Sequence, residues 1–379
     1  MIQPLSDVKM RVLISGHLPP PMGGIAAYYQ SLLNSSLPKQ VNLQFVLTSS
    51  QKRTLSKSGS FTFSNLISAI KDCGRFTKAM IKHRPQVTHI ATAFGLSFVK
   101  HGVCIMIARL YGSRVLLHPH CSISALYTDR SRGWQWFFRQ VIRMTHGVIT
   151  LSREWNILTT IVPGCVVYYL PNATDLSAYR CIALERRAGT NHPSQLKALY
   201  LGYLGKAKGS FDLVNAAKEV AARNLPVVFD LVGDELAPGD IEKLKKQIDQ
   251  SGLGNVVILH PFVIGPQKID LFRTADIFVY PSHSEGMPMA VIEAMASGLP
   301  IIATRVGGLP DLVTDGINGI LVDAGSIDQF VSAIQNLSDN PDLRFSMQMN
   351  SYQTAIDQFD IEKTVPQLVN IYNRALSGT

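Results

Sequence analysis

The chain reads as an α/β protein of two domains, each a parallel sheet built from strand–helix–strand units. Three observations predict this. Its 379 residues exceed what one hydrophobic core usually supports. Short apolar runs alternate with helical periodicity in two separate series. The stretch Leu170-Pro171-Asn172-Ala173-Thr174-Asp175 lies between the series, and its Asn and Asp favour tight turns.

The first series opens with Met10-Arg11-Val12-Leu13-Ile14-Ser15, a buried parallel strand, then a Pro/Gly turn at Pro19 to Gly24 and a helix from Ile25 to Leu33. Strands follow at Thr88 to Ala91, Arg114 to Leu117 and Gly147 to Leu151, with helices between them. The second series starts at Lys197 to Leu201 and continues through Val227 to Leu231, Val256 to Leu259, Ile277 to Tyr280 and Ile301 to Ala303. A periodic stretch from Ile361 to Leu376 predicts a terminal helix. The expected division is a first domain over 1–172, a second over 173–358 and the terminal helix over 359–379.

Charge is distributed unevenly. Met1 to Thr150 holds 18 Lys+Arg against 3 Asp, a balance of +15, and the remainder holds 18 against 24 Asp+Glu, a balance of −6. An anionic partner is expected for the first half: a membrane surface, a lipid phosphate or a nucleic acid. No nucleic-acid recognition motif accompanies the charge, so that partner is not expected. No window reaches the roughly 18 apolar residues that span a bilayer, and no secretory leader is legible, so the expected location is cytoplasmic. Five cysteines, an odd number without a C-x-x-C pair, fit reduced thiols.

The motifs follow the strands. Pro20-Pro21-Met22-Gly23-Gly24 is a candidate phosphate loop, because glycines admit close approach and expose amides; a plain turn is the alternative. A third glycine at dinucleotide spacing is missing, which argues against a nicotinamide cofactor. Gly202 to Gly209 carries Lys206 and Lys208; Lys208 either neutralises a diphosphate or is a solvated surface lysine. The most informative segment is Glu285-Gly286-Met287-Pro288-Met289-Ala290-Val291-Ile292-Glu293, directly after the apolar run Ile277 to Tyr280. Pro288 suits the first turn of a helix, whose free amides and dipole bind phosphate, while Glu293 can accept hydrogen bonds from sugar hydroxyls. His118 and His120 lack a third metal ligand, and there is no D-x-D motif, so no metal is expected.

The segment from Ala275 to Val322 resembles the family 4 retaining glycosyltransferases of GT-B fold. The E-x7-E pair is followed by Ala294-Met295-Ala296-Ser297-Gly298-Leu299-Pro300, Val306-Gly307-Gly308-Leu309-Pro310-Asp311 and Asp315-Gly316-Ile317-Asn318-Gly319. The resemblance implies two Rossmann-like domains facing across a cleft, with the terminal helix crossing back to the first. It implies a hexosyltransferase using a UDP- or GDP-linked donor and no cofactor. Gly23, Gly24, Lys206, Lys208, Ala290 and Val291 would face the diphosphate, and Phe262 and Val263 the base. Glu293 would meet the ribose; Glu285, Gly286 and Met287 the transferred sugar; and His118 would line the cleft beside that sugar. The family usually has arginine where this chain has Tyr203, so Lys206 would supply the missing charge or the leaving group is less stabilised. An epimerase, a phosphorylase or a non-catalytic nucleotide-sugar binder are the alternatives.

The helical segment Leu66 to Arg84 places Lys71, Arg75, Lys78 and Lys82 on one face, with Leu66, Ile67, Ile70, Cys73, Phe76, Met80 and Ile81 expected on the other. A solvated surface helix is one reading and docking on anionic headgroups the other. With the +15 balance, this favours a lipid-linked or saccharide acceptor at a membrane surface, as in cell-envelope polysaccharide assembly.

Overall fold

A computed structural model describes residues 9–20, 23–48, 63–188 and 194–378. The chain divides into two compact units, Met1–Thr174 with Ile361–Thr379, and Asp175–Asp360. In the first, six strands lie in the order β2-β1-β3-β4-β5-β6. They are β1 (Arg11–Gly16), β2 (Asn42–Leu47), β3 (Val87–Thr92), β4 (Arg114–Pro119), β5 (Gly147–Thr150) and β6 (Val167–Tyr169). In the second the order is β12-β11-β10-β7-β8-β9. These are β7 (Leu196–Leu201), β8 (Val227–Val232), β9 (Val257–His260), β10 (Ile277–Tyr280), β11 (Ile301–Thr304) and β12 (Gly319–Val322). Every neighbouring pair is parallel.

Parallel strands covered on both faces must be apolar throughout, and β3, β5, β10 and β11 are buried along their full length. Three strands escaped the sequence reading: β2, β6 and β12. Each is at the edge of its sheet, with partly exposed residues and Gln44 or Gly319 within it, so its apolar pattern is diluted.

In the first unit the helices Phe63–His83, Leu96–Leu110 and Arg132–Arg143 share one core, containing Phe76, Met80, Phe98, Ile105, Phe138 and Ile142. The C-terminal helix Ile361–Ser377 packs on β3, β4 and the Gly24–Asn34 helix of this same unit, burying Val365, Leu368 and Tyr372.

One face expectation is corrected. On the Phe63–His83 helix only Phe76 and Met80 of the named apolar residues are fully buried; Leu66 (51%), Ile67 (40%), Ile70 (64%) and Ile81 (53%) are exposed. They share the outer side with Lys71, Arg75, Lys78 and Lys82, all exposed. The helix is longer and more apolar than one buried stripe requires, so part of its apolar residue set faces outward.

Candidate active site

In a doubly wound sheet, ligands bind outside the carboxyl ends of strands where the strand order reverses. In the second sheet that point lies between β7 and β10. The two segments leaving those strands are Gly202 to Gly209 and Pro281 to Pro288, the two that carry Lys208 and Glu285.

The structure brings these residues together. Lys208 Nζ lies 2.5 Å from Glu285 Oε1 and donates also to the Ser284 carbonyl at 3.4 Å. Glu285 is 8% exposed, so its charge needs a partner, and the lysine supplies it. Beneath it Tyr200 and Tyr280 stack at 5.7 Å; burial first, and the Glu285 carboxylate second, push both phenols well above their ordinary pKa. The lysine's reach depends on Gly209 at φ +71, where a Cβ would stand 2.1 Å from the Pro281 carbonyl. The turn holding Glu285 is clamped from the other side. Gly307 has φ +54, and a Cβ there would lie 1.8 Å from the Glu285 carbonyl, while Gly308 N donates to the Gly286 carbonyl at 2.7 Å. Val306-Gly307-Gly308 is therefore a backbone clamp on the glutamate turn.

Pro288 is the residue before the helix Met289–Ala296 and not part of its first turn, with extended ψ 126. A proline ring fixes φ but leaves ψ free, so it serves equally well just outside the helix. Ala290 and Val291 thereby become the second and third helical residues, whose amides have no intrahelical partner. Gly286 is half-buried and Met287 buried beside them. Glu293, one turn on, is 5% exposed; Oε1 pairs with Lys268 Nζ at 2.6 Å, while Oε2 has no hydrogen-bond partner among the described residues. Lys268 lies in the Pro266–Thr274 helix and gave no signal in the sequence, because only the packing of two helices brings it to Glu293. Phe262 is 42% exposed and Val263 half-buried in the segment after β9. Lys206 is exposed, and Tyr203 is half-buried with its pKa raised by burial and then by Asp234.

In the first unit the strand order reverses between β1 and β3. Gly23 precedes the Gly24–Asn34 helix in extended conformation, so Gly24 is its first residue and not part of the loop; Pro21 and Met22 fall outside the described residues. His118 lies within β4 and is fully buried. Its Nδ1 is 3.0 Å from His89 Nε2, and its Nε2 has no partner among the described residues. His120 Nε2 lies 3.1 Å from the Tyr29 hydroxyl. Burial and the adjacent imidazoles keep His118 well below its ordinary pKa. None of Tyr29, His89 and Tyr372 was singled out in the sequence; as isolated residues in apolar runs they resemble core. Among the described residues no group of three or more His, Cys, Asp or Glu is placed to hold a metal ion.

Two parallel α/β units with paired carboxylates and free helix amides at a switch point define a protein of the GT-B class. Comparison with solved structures agrees on the fold. Sucrose-phosphate synthase from Thermosynechococcus elongatus superposes with a TM-score of 0.79 at 17% identity, covering 98% of this chain and 100% of that one. Anabaena HepE in complex with UDP and glucose gives 0.73 at 17% identity, covering 96% and 99%.

Residues 183–354 match the family described as Glycosyl transferases group 1. The matched segment makes up nearly all of the second unit. D-inositol 3-phosphate glycosyltransferase of Paenarthrobacter aurescens is 31% identical over 188 residues, 49% of this chain and 46% of that protein. The Thermobispora bispora protein of the same name is 34% identical over 246 residues, 62% and 56%. The matched stretch thus spans about half the length of these relatives.

Proposed function

We propose that the protein is a retaining hexosyltransferase of the family 4 type, transferring a sugar from a UDP- or GDP-linked donor to a lipid-linked or saccharide acceptor. The observation that carries the reading is the Lys208–Glu285 pair at the switch point, directly before the free amides of Ala290 and Val291. A cation and helix amides suit the diphosphate; a buried carboxylate beside them suits the hydroxyls of the sugar it carries. The buried Glu293 carboxylate, held by Lys268 and close to the Tyr179 hydroxyl, suits a ribose hydroxyl. UDP and glucose in the HepE complex support the UDP alternative.

In the reaction the acceptor oxygen bonds to the anomeric carbon as the bond from that carbon to the diphosphate breaks. The departing phosphate takes the acceptor's proton, and nucleoside diphosphate leaves. Lys208 and the helix amides stabilise the developing negative charge, and no side chain serves as nucleophile. Lys206 supplies the second cation in place of the usual arginine.

The acceptor's setting is read from the first unit. The outer surface of its three-helix layer carries Leu66, Ile67, Ile70 and Ile81 with Lys71, Arg75, Lys78 and Lys82 on the first helix. Val103, Met106 and Leu110 follow on the second and Trp136 on the third, all exposed. Apolar and basic side chains mixed on one helix face suit the interface of an anionic bilayer. No described helix is long and apolar enough to cross a membrane. The enzyme acts at the cytoplasmic face, in cell-envelope polysaccharide or glycolipid synthesis.

The test is thermal shift against UDP-, GDP-, ADP- and dTDP-sugars, because a ligand of the folded state raises the melting temperature. One base class stabilising the wild type but not Glu285→Ala is the expected result. No shift with any donor, in folded protein, would refute the donor site.

A further inference from the structure

The polar cluster around His118 has a direction that no single residue shows. Tyr372, fully buried on the C-terminal helix, places its hydroxyl 2.8 Å from His89 Nδ1. His89 Nε2 in turn lies 3.0 Å from His118 Nδ1. His89 Nδ1 is the one hydrogen-bond partner of the Tyr372 hydroxyl among the described residues. A phenol proton buried without an acceptor costs about 1–3 kcal/mol, so Tyr372 donates and His89 Nδ1 accepts. The neutral His89 then carries its proton on Nε2 and donates it to His118 Nδ1. His118, neutral as well, is left with its proton on Nε2, the buried atom that lacks a partner. Burial holds His89 down to a pKa of about 3, so near neutral pH neither ring escapes this logic by taking a second proton. The Tyr29 hydroxyl lies 3.1 Å from His120 Nε2, 3.3 Å from His89 Nε2 and 3.5 Å from His118 Nδ1; it donates along the shortest of these, to His120 Nε2, while the shorter 3.0 Å contact joins His89 Nε2 to His118 Nδ1.

We propose that Tyr372 is a positioning residue: acting through His89, it locks His118 in the tautomer protonated at Nε2, so that this histidine meets a ligand oxygen as a neutral hydrogen-bond donor. The ligand class is a hydroxyl or ether oxygen of a sugar, and this clause rests on the glycosyltransferase reading above. A neutral donor suits such an uncharged oxygen, which asks for a hydrogen bond and not for a charge. The C-terminal helix thereby acts on the chemistry without touching substrate.

The experiment is nitrogen-15 imidazole spectroscopy of the full chain, without ligand, at pH 7.5, on the wild type and on Tyr372→Phe. The expected wild-type result is His118 protonated at Nε2 with an acceptor-type Nδ1. In Tyr372→Phe that signal becomes a mixture of tautomers, and kcat/KM falls roughly 3- to 10-fold, the worth of one hydrogen bond. Protonation at Nδ1 in the wild type, or an unchanged tautomer in Tyr372→Phe, overturns the relay. Should the variant fail to fold, the wild-type spectrum alone decides. The functional reading is separated by His118→Ala: full transfer activity in that variant, with the tautomer as expected, overturns the sugar contact while leaving the donor site at Glu285 untouched.

Discussion

The two units handle buried polarity in opposite ways. In the second, each signature carboxylate has a lysine at 2.5 or 2.6 Å, and charge is retained in the interior. In the first, imidazoles and phenols pair with one another, all held neutral by burial, while the positive charges of the Phe63–His83 helix stay on the outside. On the function proposed above, charge is kept where a diphosphate would be bound and is removed where hydroxyls would be read. A buried ion pair is costly to assemble and weak evidence for stability, so two of them near one helix point to a ligand and not to folding.

The largest effect that breaks this contrast is on the second unit. Glu285→Ala is expected to lower transfer by on the order of 100- to 1,000-fold, as for loss of one preorganised group at a transition state. Lys208→Ala should cost a similar factor, and the double variant little more, because each residue is the other's partner. Additive losses in steady-state kinetics would show that the pair is only structural.

A smaller effect belongs to the first unit. His89 and His120 are held down to about 3 and His17 to about 4, each mainly by burial, with Lys100 and Asp72 also acting on His17. In the unfolded chain these rings titrate near 6.5. Between the two values the unfolded state binds more protons, so stability is complete above about pH 6.5 and is lost as pH falls toward 3. The expected loss is about 2 kcal/mol for each imidazole at pH 5. Calorimetry should find the first unit's transition falling in temperature between pH 7 and 5 more steeply than the second's. Equal slopes would mean the cluster is solvated.

How much of this could be read from the chain differs between the units for a physical reason. Glu285 and the amides of Ala290 and Val291 sit within one continuous motif, so its resemblance to a family points to them; Lys208 lies on a separate segment, 77 positions away, where local pattern leaves it either a ligand or a surface lysine and the resemblance alone favours the first. Tyr372 acts on His89 across 283 positions, and Lys268 reaches Glu293 from another helix, contacts that no local pattern encodes. Central strands were legible because burial on both faces makes them uniformly apolar, whereas the edge strands β2, β6 and β12 were not. The outward turn of Ile70 and Ile81 was missed because periodicity finds an apolar stripe without saying what covers it.

That exposed stripe gives the smallest and most discriminating prediction. Lys78→Gln removes one exposed charge and is expected to weaken binding to anionic liposomes by about 1 kcal/mol, roughly fivefold, with the deficit vanishing at high salt. Ile70→Ser removes an apolar side chain 64% exposed, with an expected loss of about 1 kcal/mol that persists when salt is raised. Co-sedimentation at two ionic strengths separates the two. If both deficits disappear with salt, the helix rests on headgroups without insertion, and the first unit's surface is purely electrostatic. If Ile70→Ser alone stays impaired, the exposed isoleucines enter the bilayer interface, and the first unit differs from the second in what its surface binds as well as in how its interior is paired.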